Sequence, residues 1–376
     1  MKKIAVLGAG MVGSAMARDL SKKNLVCSFD INIENLNSLN GIENISTHQA
    51  DLSRYDDIPE LIRDYDLVIG AVPGFMGYRT VEKVIEAKKN IVDISFFPEN
   101  CLALDSLARE AGVIAIVDCG VAPGMGNILL GYHNAKMDIQ HFECLVGGLP
   151  FERRMPFQYK APFSPVDVLE EYTRPARYVE NGNIITRTAM SDLEYVDFTT
   201  VGTLESFNSD GLRSLIYTMK IPNMKEKTLR YPGHIRLMCD LRDAGFFSSQ
   251  EIQMGKAALR PIDFTSKILF DSWKLNPGDK EFTIMRITID GTESGNAVSY
   301  IYNLFDEYDE VTSISSMART TGYTATAAAE LILQNKFNRI GISPPEFIGE
   351  SELATKFILD YLAERNVNYK LSIVNY

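Results

Sequence analysis

The chain has 376 residues, of which 45% are apolar and 23% charged, and its formal net charge is −11 at neutral pH. This is the composition of an ordinary globular protein of two or three domains, and the acidic balance argues against nucleic-acid binding, which needs a basic surface. No apolar stretch approaches the roughly 18 residues of a membrane span, and five scattered cysteines without a CxxC motif and four histidines without an i, i+4 pair predict reduced thiols in a cytoplasmic protein without a metal centre.

The chain up to about residue 120 alternates apolar strands with helices. This rhythm predicts βαβ units on a parallel sheet, which is the arrangement of a Rossmann-type domain. The predicted strands are Lys3–Leu7, Leu25–Phe29, Ile45–Gln49, Leu67–Ala71, Asn90–Ile94 and Val113–Val117, and the predicted helices are Met11–Leu20, Ile58–Arg63, Tyr78–Ala87 and Asn100–Glu110.

A glycine fingerprint joins the first strand to the first helix. Gly8, Gly10 and Gly13 form a GxGxxG motif, and Asp30 ends the second strand 20 positions after Gly10. The three glycines permit the tight turn, the approach of a pyrophosphate and close helix–strand packing, respectively. Asp30 favours NAD as the cofactor, because a carboxylate accepts hydrogen bonds from the ribose hydroxyls and repels a 2′-phosphate.

Further cofactor contacts are expected at the carboxyl ends of the strands, where ligands bind in open α/β sheets. Asp51 is equally interpretable as a helix N-cap. The predicted cofactor-binding residues besides the fingerprint are Met11, Val12, Ile31, Asn32, Asp51, Leu52, Ala71, Val72, Pro73, Asp93 and Ser95.

After Asp118 the pattern changes to alternating strands, proline-rich loops and separate helices. This predicts an α+β domain with a largely antiparallel open sheet. The predicted division is a dinucleotide-binding domain at 1–122, a substrate and dimerisation domain at 123–320, and C-terminal helices at 321–376 that return to the first domain, with a loop from Ser343 to Phe347. The predicted strands of the second domain are His141–Val146, Arg177–Val179, Ile184–Thr188, Phe282–Asp290 and Ala297–Phe305, and its predicted helices are Asn127–Lys136, Asp210–Thr218, His234–Ala244 and Pro261–Leu275.

Five segments of the second half resemble the saccharopine dehydrogenase-like family, and within it the branch of NAD-dependent lysine dehydrogenases that deaminate the ε-amine. The resemblance implies a Rossmann domain, a second domain used for dimerisation, and hydride transfer between a nicotinamide and an amine carbon. It also implies that Tyr159, Lys160 and Arg230 belong to the substrate site, and that Gly120 and Pro123 lie in the loop below the nicotinamide. The segments are Asp118-Cys-Gly-Val-Ala-Pro-Gly124, Gly147-Gly-Leu-Pro150, Pro156-Phe-Gln-Tyr-Lys160 with Phe163-Ser-Pro165, Glu205-Ser-Phe-Asn-Ser-Asp-Gly211 and Thr228-Leu-Arg-Tyr-Pro-Gly-His234.

The residue types independently supply candidates for an amino-acid site. Arg230, in a loop-like context, can bind a carboxylate bidentately or form an interdomain salt bridge. Lys160 is a candidate proton shuttle or an ordinary surface lysine, and His234 is an alternative acid/base or a helix cap. Glu205 and Asp210 can hold a substrate ammonium, although Asp210 also fits as the N-cap of the following helix.

These observations predict the oxidative deamination of the ε-amine of lysine to a semialdehyde, with NAD as the cofactor and a homodimer as the assembly. The alternative enzyme is a reductase that joins an amine and an aldehyde, as in the formation of saccharopine or carboxynorspermidine. A dinucleotide-binding protein without catalysis is the third possibility. Cys119 could instead serve an aldehyde-oxidising enzyme as its nucleophile, but a buried, inert thiol is the preferred interpretation.

Overall fold

The computed structural model describes residues 1–276 and 278–376. Its first part confirms the predicted parallel sheet with flanking helices, in the strand order β3-β2-β1-β4-β5-β6. The elements are β1 (Lys3–Leu7), α1 (Met11–Leu20), β2 (Leu25–Asp30), α2 (Ile33–Asn37), β3 (Ile45–Gln49), α3 (Ile58–Leu61), β4 (Leu67–Gly70), α4 (Gly74–Glu86), β5 (Asn90–Asp93), α5 (Asp105–Ala111) and β6 (Ile114–Ile116).

A second, mixed sheet follows, in which only β7 and β12 pair in parallel and the other neighbouring strands in the described ranges are antiparallel. The order is β10-β11-β12-β7-β15-β16, and the hairpin of β8 and β9 is attached to β12. The elements are α6 (Met125–Asn134), β7 (Asp138–Pro150), α7 (Pro165–Thr173), β8 (Ala176–Glu180), β9 (Asn183–Arg187), β10 (Glu194–Phe198), β11 (Gly202–Asn208), α8 (Leu215–Thr218), β12 (Asn223–Arg230), α9 (His234–Asp243), β13 (Ile252–Met254), β14 (Ala257–Leu259), α10 (Pro261–Trp273), β15 (Glu281–Glu293) and β16 (Asn296–Glu307).

The end of the chain contributes to both sheets. The parallel sheet gains β17 beside β6, and the second sheet gains β18 beside β16. A small residue lets α11 lie close to α1, since a Cβ at Gly322 would sit 3.0 Å from Cγ of Met16. The predicted loop from Ser343 to Phe347 is wrong, because the end of β17 and the start of a short helix occupy this region. The elements are α11 (Ser316–Leu333), β17 (Gly341–Ser343), α12 (Glu346–Gly349), α13 (Glu352–Ala363) and β18 (Tyr369–Asn375).

Two sequence interpretations near the second sheet also need correction. Arg230 is the last residue of β12 rather than a loop residue. The strand was not recognised in the sequence because its charged side chains hide the alternating pattern. The helix predicted from Asp210 begins at Leu215, and its N-cap is Ser214. Asp210 is therefore not a helix cap. None of the helices in the described ranges is long and apolar enough to cross a membrane.

Candidate functional site

A cavity of about 850 Å³ connects the carboxyl ends of the parallel strands with the face of the second sheet. The loop from Gly120 to Pro123 and the first turns of α11 form part of its wall between the two ends. The polar wall at the second end includes side chains of Ser164, Asp167, Glu171, Ser209, Glu226, Thr228 and Arg230.

The glycines at the first end have the geometry that a dinucleotide requires. Gly8 has a positive φ of 109°, and a Cβ there would lie 2.4 Å from the carbonyl oxygen of Ala71. A Cβ at Gly13 would lie 2.0 Å from the carbonyl oxygen of Gly8, so any side chain would push α1 off the turn. A Cβ at Gly10 would meet nothing within 4 Å. This open space at the start of α1 fits a pyrophosphate held by free N–H groups.

Asp30 is fixed on the wall of the same end. Its Oδ2 accepts a hydrogen bond of 2.7 Å from the Ala9 N–H, and its Oδ1 accepts one of 2.8 Å from the Asn32 N–H. Asp51 and Leu52 also line the cavity, and Asp51 accepts hydrogen bonds from Ser53. The residues at this end therefore fit a nicotinamide dinucleotide. The other predicted cofactor residues that line the cavity are Met11, Val12, Ile31, Asn32, Ala71, Val72, Pro73 and Ser95.

The structure places Asp93 differently from the prediction. Its side chain is fully buried below the cavity, and burial raises the pKa of this carboxyl to about 7. Asp93 accepts hydrogen bonds from the backbone N–H and the hydroxyl of Ser95. Asp93 therefore positions Ser95, which does line the cavity, and is not itself placed for contact with a cofactor.

Strand β12 supplies the polar face at the second end of the cavity. Glu226, Thr228 and Arg230 alternate along this strand, and all three line the cavity. Alternate residues of a strand point to the same face of the sheet. The Glu-x-Thr-x-Arg spacing is therefore a signal in the sequence for this site, although the prediction of Arg230 rested on the resemblance and on its residue type, not on this spacing.

Arg230 is buried, and most of its N–H groups already donate hydrogen bonds to neighbouring residues. Nε donates to the Tyr172 hydroxyl at 2.9 Å, and Nη1 donates to the Leu229 carbonyl at 2.9 Å. Nη2 donates to Glu171 at 2.9 Å and to the Tyr159 hydroxyl at 3.4 Å. Within the described ranges, one N–H, on Nη1, is left for a ligand. Bidentate binding of a substrate carboxylate would therefore require one of these hydrogen bonds to break. The ion pair that Arg230 forms is with Glu171 of α7, in place of the predicted interdomain salt bridge.

His234 and Tyr159 support Arg230 from the side away from the cavity. His234 Nδ1 lies 2.7 Å from the Phe157 carbonyl oxygen, and its Nε2 lies 2.9 Å from the Tyr172 hydroxyl. Nδ1 is thus the donor, and Nε2 accepts the hydroxyl proton of Tyr172. Burial, assisted by the charge of Arg230, lowers the pKa of His234 to about 3. His234 is therefore a neutral positioning residue, and the arrangement does not support the predicted acid/base role.

Three other residues predicted for the site do not belong to the described cavity lining, namely Lys160, Asp210 and Glu205. Lys160 Nζ donates a hydrogen bond of 3.0 Å to the Lys274 carbonyl. Asp210 is paired with Arg177 at 2.8 Å, and Glu205 is buried with only a long bond of 3.4 Å from the Gly233 N–H. These contacts are those of structural residues.

Glu226, unlike Glu205 and Asp210, is an acidic residue that lines the cavity. The residue is only 7% exposed, yet it lines the cavity. A Cβ at Gly211 would lie 1.7 Å from its Oε1, so the absence of a side chain at 211 makes room for the carboxylate. Burial, together with the nearby acids Glu171, Asp210 and Asp118, raises the pKa of Glu226 to about 8. Glu226 and Glu171 were both missed in the sequence analysis. The alternation of Glu226 with Thr228 and Arg230 was not recognised as a strand, and the neighbours of Glu171 do not distinguish it from a surface glutamate.

The region around Gly120 contains one more candidate. Gly120 and Pro123 line the cavity as the resemblance implies. Cys119 is completely buried, and burial raises the pKa of its thiol well above the usual range, which makes it a poor nucleophile. In the described part of the chain, no group of three or more His, Cys, Asp or Glu side chains is arranged to hold a metal ion.

Both parts of the chain are similar to saccharopine dehydrogenases. The family model for the saccharopine dehydrogenase NADP binding domain matches residues 4–116, and the model for the saccharopine dehydrogenase C-terminal domain matches residues 120–367. In fold, the chain is similar to saccharopine dehydrogenase (L-Glu forming) from Saccharomyces cerevisiae, with a TM-score of 0.80, 18% identity and complete coverage of both chains.

Two relatives differ in the share of their own length that this chain covers. Alpha-aminoadipic semialdehyde synthase of Bos taurus is 24% identical over 92% of this chain but only 45% of its own length, so the chain spans about half of that relative. Carboxyaminopropylagmatine dehydrogenase of Synechocystis sp. is 22% identical over 91% of this chain and 92% of its own length.

Proposed function

We propose, from the premise that this chain belongs to the saccharopine dehydrogenase family, that it is an oxidoreductase acting on a CH–NH₂ or CH–NH group. The observation that carries the proposal is one continuous cavity in which a dinucleotide fingerprint faces the buried polar side chains of the second sheet. The reaction class is the interconversion of an amine carbon and a C=N bond, for which a bound nicotinamide supplies hydride chemistry.

The first candidate substrate is L-lysine, oxidised at its ε-carbon. The resemblance to ε-deaminating lysine dehydrogenases supports this choice, and so does the acidic wall formed by Asp167, Glu171 and Glu226 against the single cation of Arg230 in the described lining. Oxidation converts the ε-amine to an imine, and hydrolysis of the imine releases ammonia and a semialdehyde. The three carboxylates favour the amine end of the substrate at this wall.

The reductive joining of an amine and an aldehyde is the second candidate. The observation in its favour is the nearly complete mutual coverage with carboxyaminopropylagmatine dehydrogenase of Synechocystis sp.. A ligand with more than one positive charge would also suit the acidic wall. The two candidates use the same chemistry in opposite directions and differ in the group attached to the nitrogen.

NAD is the proposed cofactor, although the matching domain model is named for NADP. The support is Asp30. The backbone N–H groups of Ala9 and Asn32 donate hydrogen bonds to its carboxylate and fix it on the cavity wall. A 2′-phosphate beside this carboxylate would be repelled, and the nearby Ile31 and Asn32 offer no compensating positive charge.

A two-direction assay tests the proposal. NADH formation is followed between pH 7 and 10 with lysine, ornithine, saccharopine and diamines, and NADH consumption is followed with amine and aldehyde pairs. Gly10→Val, which fills the pyrophosphate space, is the control that removes cofactor binding. Turnover with lysine supports deamination, and turnover only with pairs supports the joining reaction. NADH binding without turnover in either direction would contradict both and leave a non-catalytic dinucleotide-binding protein.

The proposed assembly is a homodimer through the second domain, and the proposed location is the cytoplasm. Both come from the resemblance and the composition rather than from the structure. Light scattering coupled to size-exclusion chromatography measures the mass in solution, and a mass of one chain would contradict the dimer.

A further inference from the structure

We infer that Glu226 binds the ammonium group of the substrate and accepts its proton. The inference rests on the proposed oxidoreductase function and names a residue and a ligand class for it. The ligand class is a primary or secondary aliphatic ammonium. The support comes from the position of the side chain, from its contacts and from its electrostatic surroundings.

The position of Glu226 is that of a ligand-binding group. It lies on the same strand face as Thr228 and Arg230, where all three line the cavity. The side chain is more than nine-tenths buried, and Gly211 leaves space for its Oε1. The carboxylate therefore lies between Gly211 and the cavity.

The contacts of the neighbouring acids make Glu226 distinct. Glu171 forms an ion pair of 2.9 Å with Arg230, and Asp167 accepts a hydrogen bond of 3.2 Å from the Gly74 N–H. No hydrogen bond or ion pair joins the Glu226 carboxylate to any residue in the described ranges. The two oxygens reach the cavity rather than the closed interior, so a ligand in the cavity can supply the hydrogen-bond partner that the protein does not.

The electrostatic surroundings of Glu226 favour a positive ligand. Glu171 from α7, Asp210 from the loop after β11 and Asp118 after β6 disfavour the charged form of Glu226, and Arg213 favours it. These three acids are themselves paired with Arg230, Arg177 and Arg213, respectively. Burial and the three acids keep the pKa of Glu226 near 8 in the absence of a ligand. An ammonium beside the carboxylate would favour its charged form, so binding at pH 7 should release a proton to the solvent.

The proton balance of the reaction explains why this group is needed. An alkylammonium has a pKa near 10.4 and no free electron pair on nitrogen at neutral pH. When Glu226 takes the proton, an N–H bond breaks, an O–H bond forms, and the electron pair returns to nitrogen. That pair would then form the C=N bond as the adjacent C–H bond breaks, and a nicotinamide whose dinucleotide is held at the Gly8–Gly13 fingerprint would accept the departing hydride. A carboxylate with a raised pKa suits such a transfer.

Calorimetry with the full chain and saturating NADH tests the inference without turnover. The probes are L-lysine, cadaverine and agmatine, and L-norleucine is the matched probe without the ε-ammonium. Titrations at pH 7 in buffers with different ionisation enthalpies count the protons released. Glu226→Gln should weaken binding of the ammonium probes by at least about tenfold, as expected for loss of a charged hydrogen bond, and should abolish the buffer dependence.

The control variant is Glu143→Gln, which removes a carboxylate paired with Lys225 on the other face of β12. It should leave probe affinity and proton release unchanged, and both variants should keep the NADH affinity of the wild type. Probe affinity in Glu226→Gln within about twofold of the wild type would overturn the inference, as would binding of none of the three probes to the wild type.

Two further results keep the test decisive. If Glu226→Gln does not fold, Glu226→Asp shortens the side chain but keeps the charge, and unchanged probe affinity in that variant would overturn the inference. Heat that is independent of the buffer in the wild type would also overturn it. Failure of the proposed function is distinguishable, because amines would then bind through Glu226 while no substrate gave turnover in either direction.

Discussion

Gly211 and Glu226 share one space, since a Cβ atom at position 211 would lie 1.7 Å from Oε1 of Glu226. Gly211→Ala should therefore displace the carboxylate and weaken the binding of cadaverine by on the order of tenfold. The affinity for NADH should not change, because the glycine fingerprint is at the other end of the cavity. Calorimetry measures both affinities, and unchanged cadaverine binding would show that Oε1 does not take part.

Asp30 should determine the choice between the two nicotinamide cofactors. The wild type is expected to bind NADH more tightly than NADPH, because the carboxylate repels a 2′-phosphate. Asp30→Ser combined with Asn32→Arg removes the repulsion and adds a cation, so the difference in affinity should narrow. Fluorescence titration with both cofactors checks this, and equal affinities in the wild type would contradict the assignment of NAD.

Lys160 and Glu226 should differ sharply in their effect on turnover. Lys160 lies outside the described cavity lining and is bonded to the Lys274 carbonyl, so Lys160→Ala should change kcat by less than about threefold. Glu226→Gln should reduce kcat by roughly 10²–10⁴, the usual range for a positioned proton-transfer group. Single-turnover kinetics on both variants compares them directly. A large loss in Lys160→Ala with normal NADH binding would restore the lysine as the base.

The part of the fold that could be predicted from sequence is the part with a local signal. Strands β1, β2, β4, β5 and β6 are mostly buried apolar runs between helices, and turn residues mark the hairpins. Strand β12 was missed because Lys225, Glu226 and Lys227 interrupt its apolar character, although Lys227 is buried and donates hydrogen bonds to Glu194 and to the Asp192 carbonyl. Strand β17 has three residues, and only its pairing with β6 makes it a strand.

The site shows the same limit. The fingerprint of the cofactor end runs from Gly8 to Asp30, so it could be recognised as a motif. The second end combines α7, β12 and the segment at Gly211. Residue type alone could not show that His234 and Tyr159 face Arg230 from the interior while Glu226 faces the cavity. The direction of a side chain depends on tertiary packing, and that information is not local in the sequence.

Arg230 and Glu171 should be coupled in stability. Arg230 is buried and forms its ion pair with the partly buried Glu171, so Arg230→Met leaves that carboxylate without its cation and should cost up to about 3–5 kcal/mol. Adding Glu171→Gln removes that charge and should recover a large part of the loss. A double-mutant cycle with urea unfolding measures the coupling. Additive losses would show that the pair contributes through packing alone.

Glu226 should leave a distinct mark on the pH dependence of stability. Its pKa rises from 4.5 to about 8 on folding, so between these values the folded state holds a proton that the unfolded state has lost. The free energy of unfolding should therefore fall as pH rises, by at most about 1.4 kcal/mol per pH unit for this group. Burial and the acids Glu171, Asp210 and Asp118, opposed by Arg213, set the direction of the shift.

Glu226→Gln cannot ionise and lacks this contribution, so the difference between the two proteins isolates the titration of Glu226 together with its coupling to Glu171, Asp210 and Asp118. The variant and the wild type should therefore be close in stability near pH 5, and the variant should be the more stable by roughly 1–3 kcal/mol near pH 8. Urea unfolding of the chain without cofactor at both pH values provides the measurement. A stability difference that does not change with pH would show that Glu226 is ionised throughout, and that its charge is already compensated in the unliganded protein.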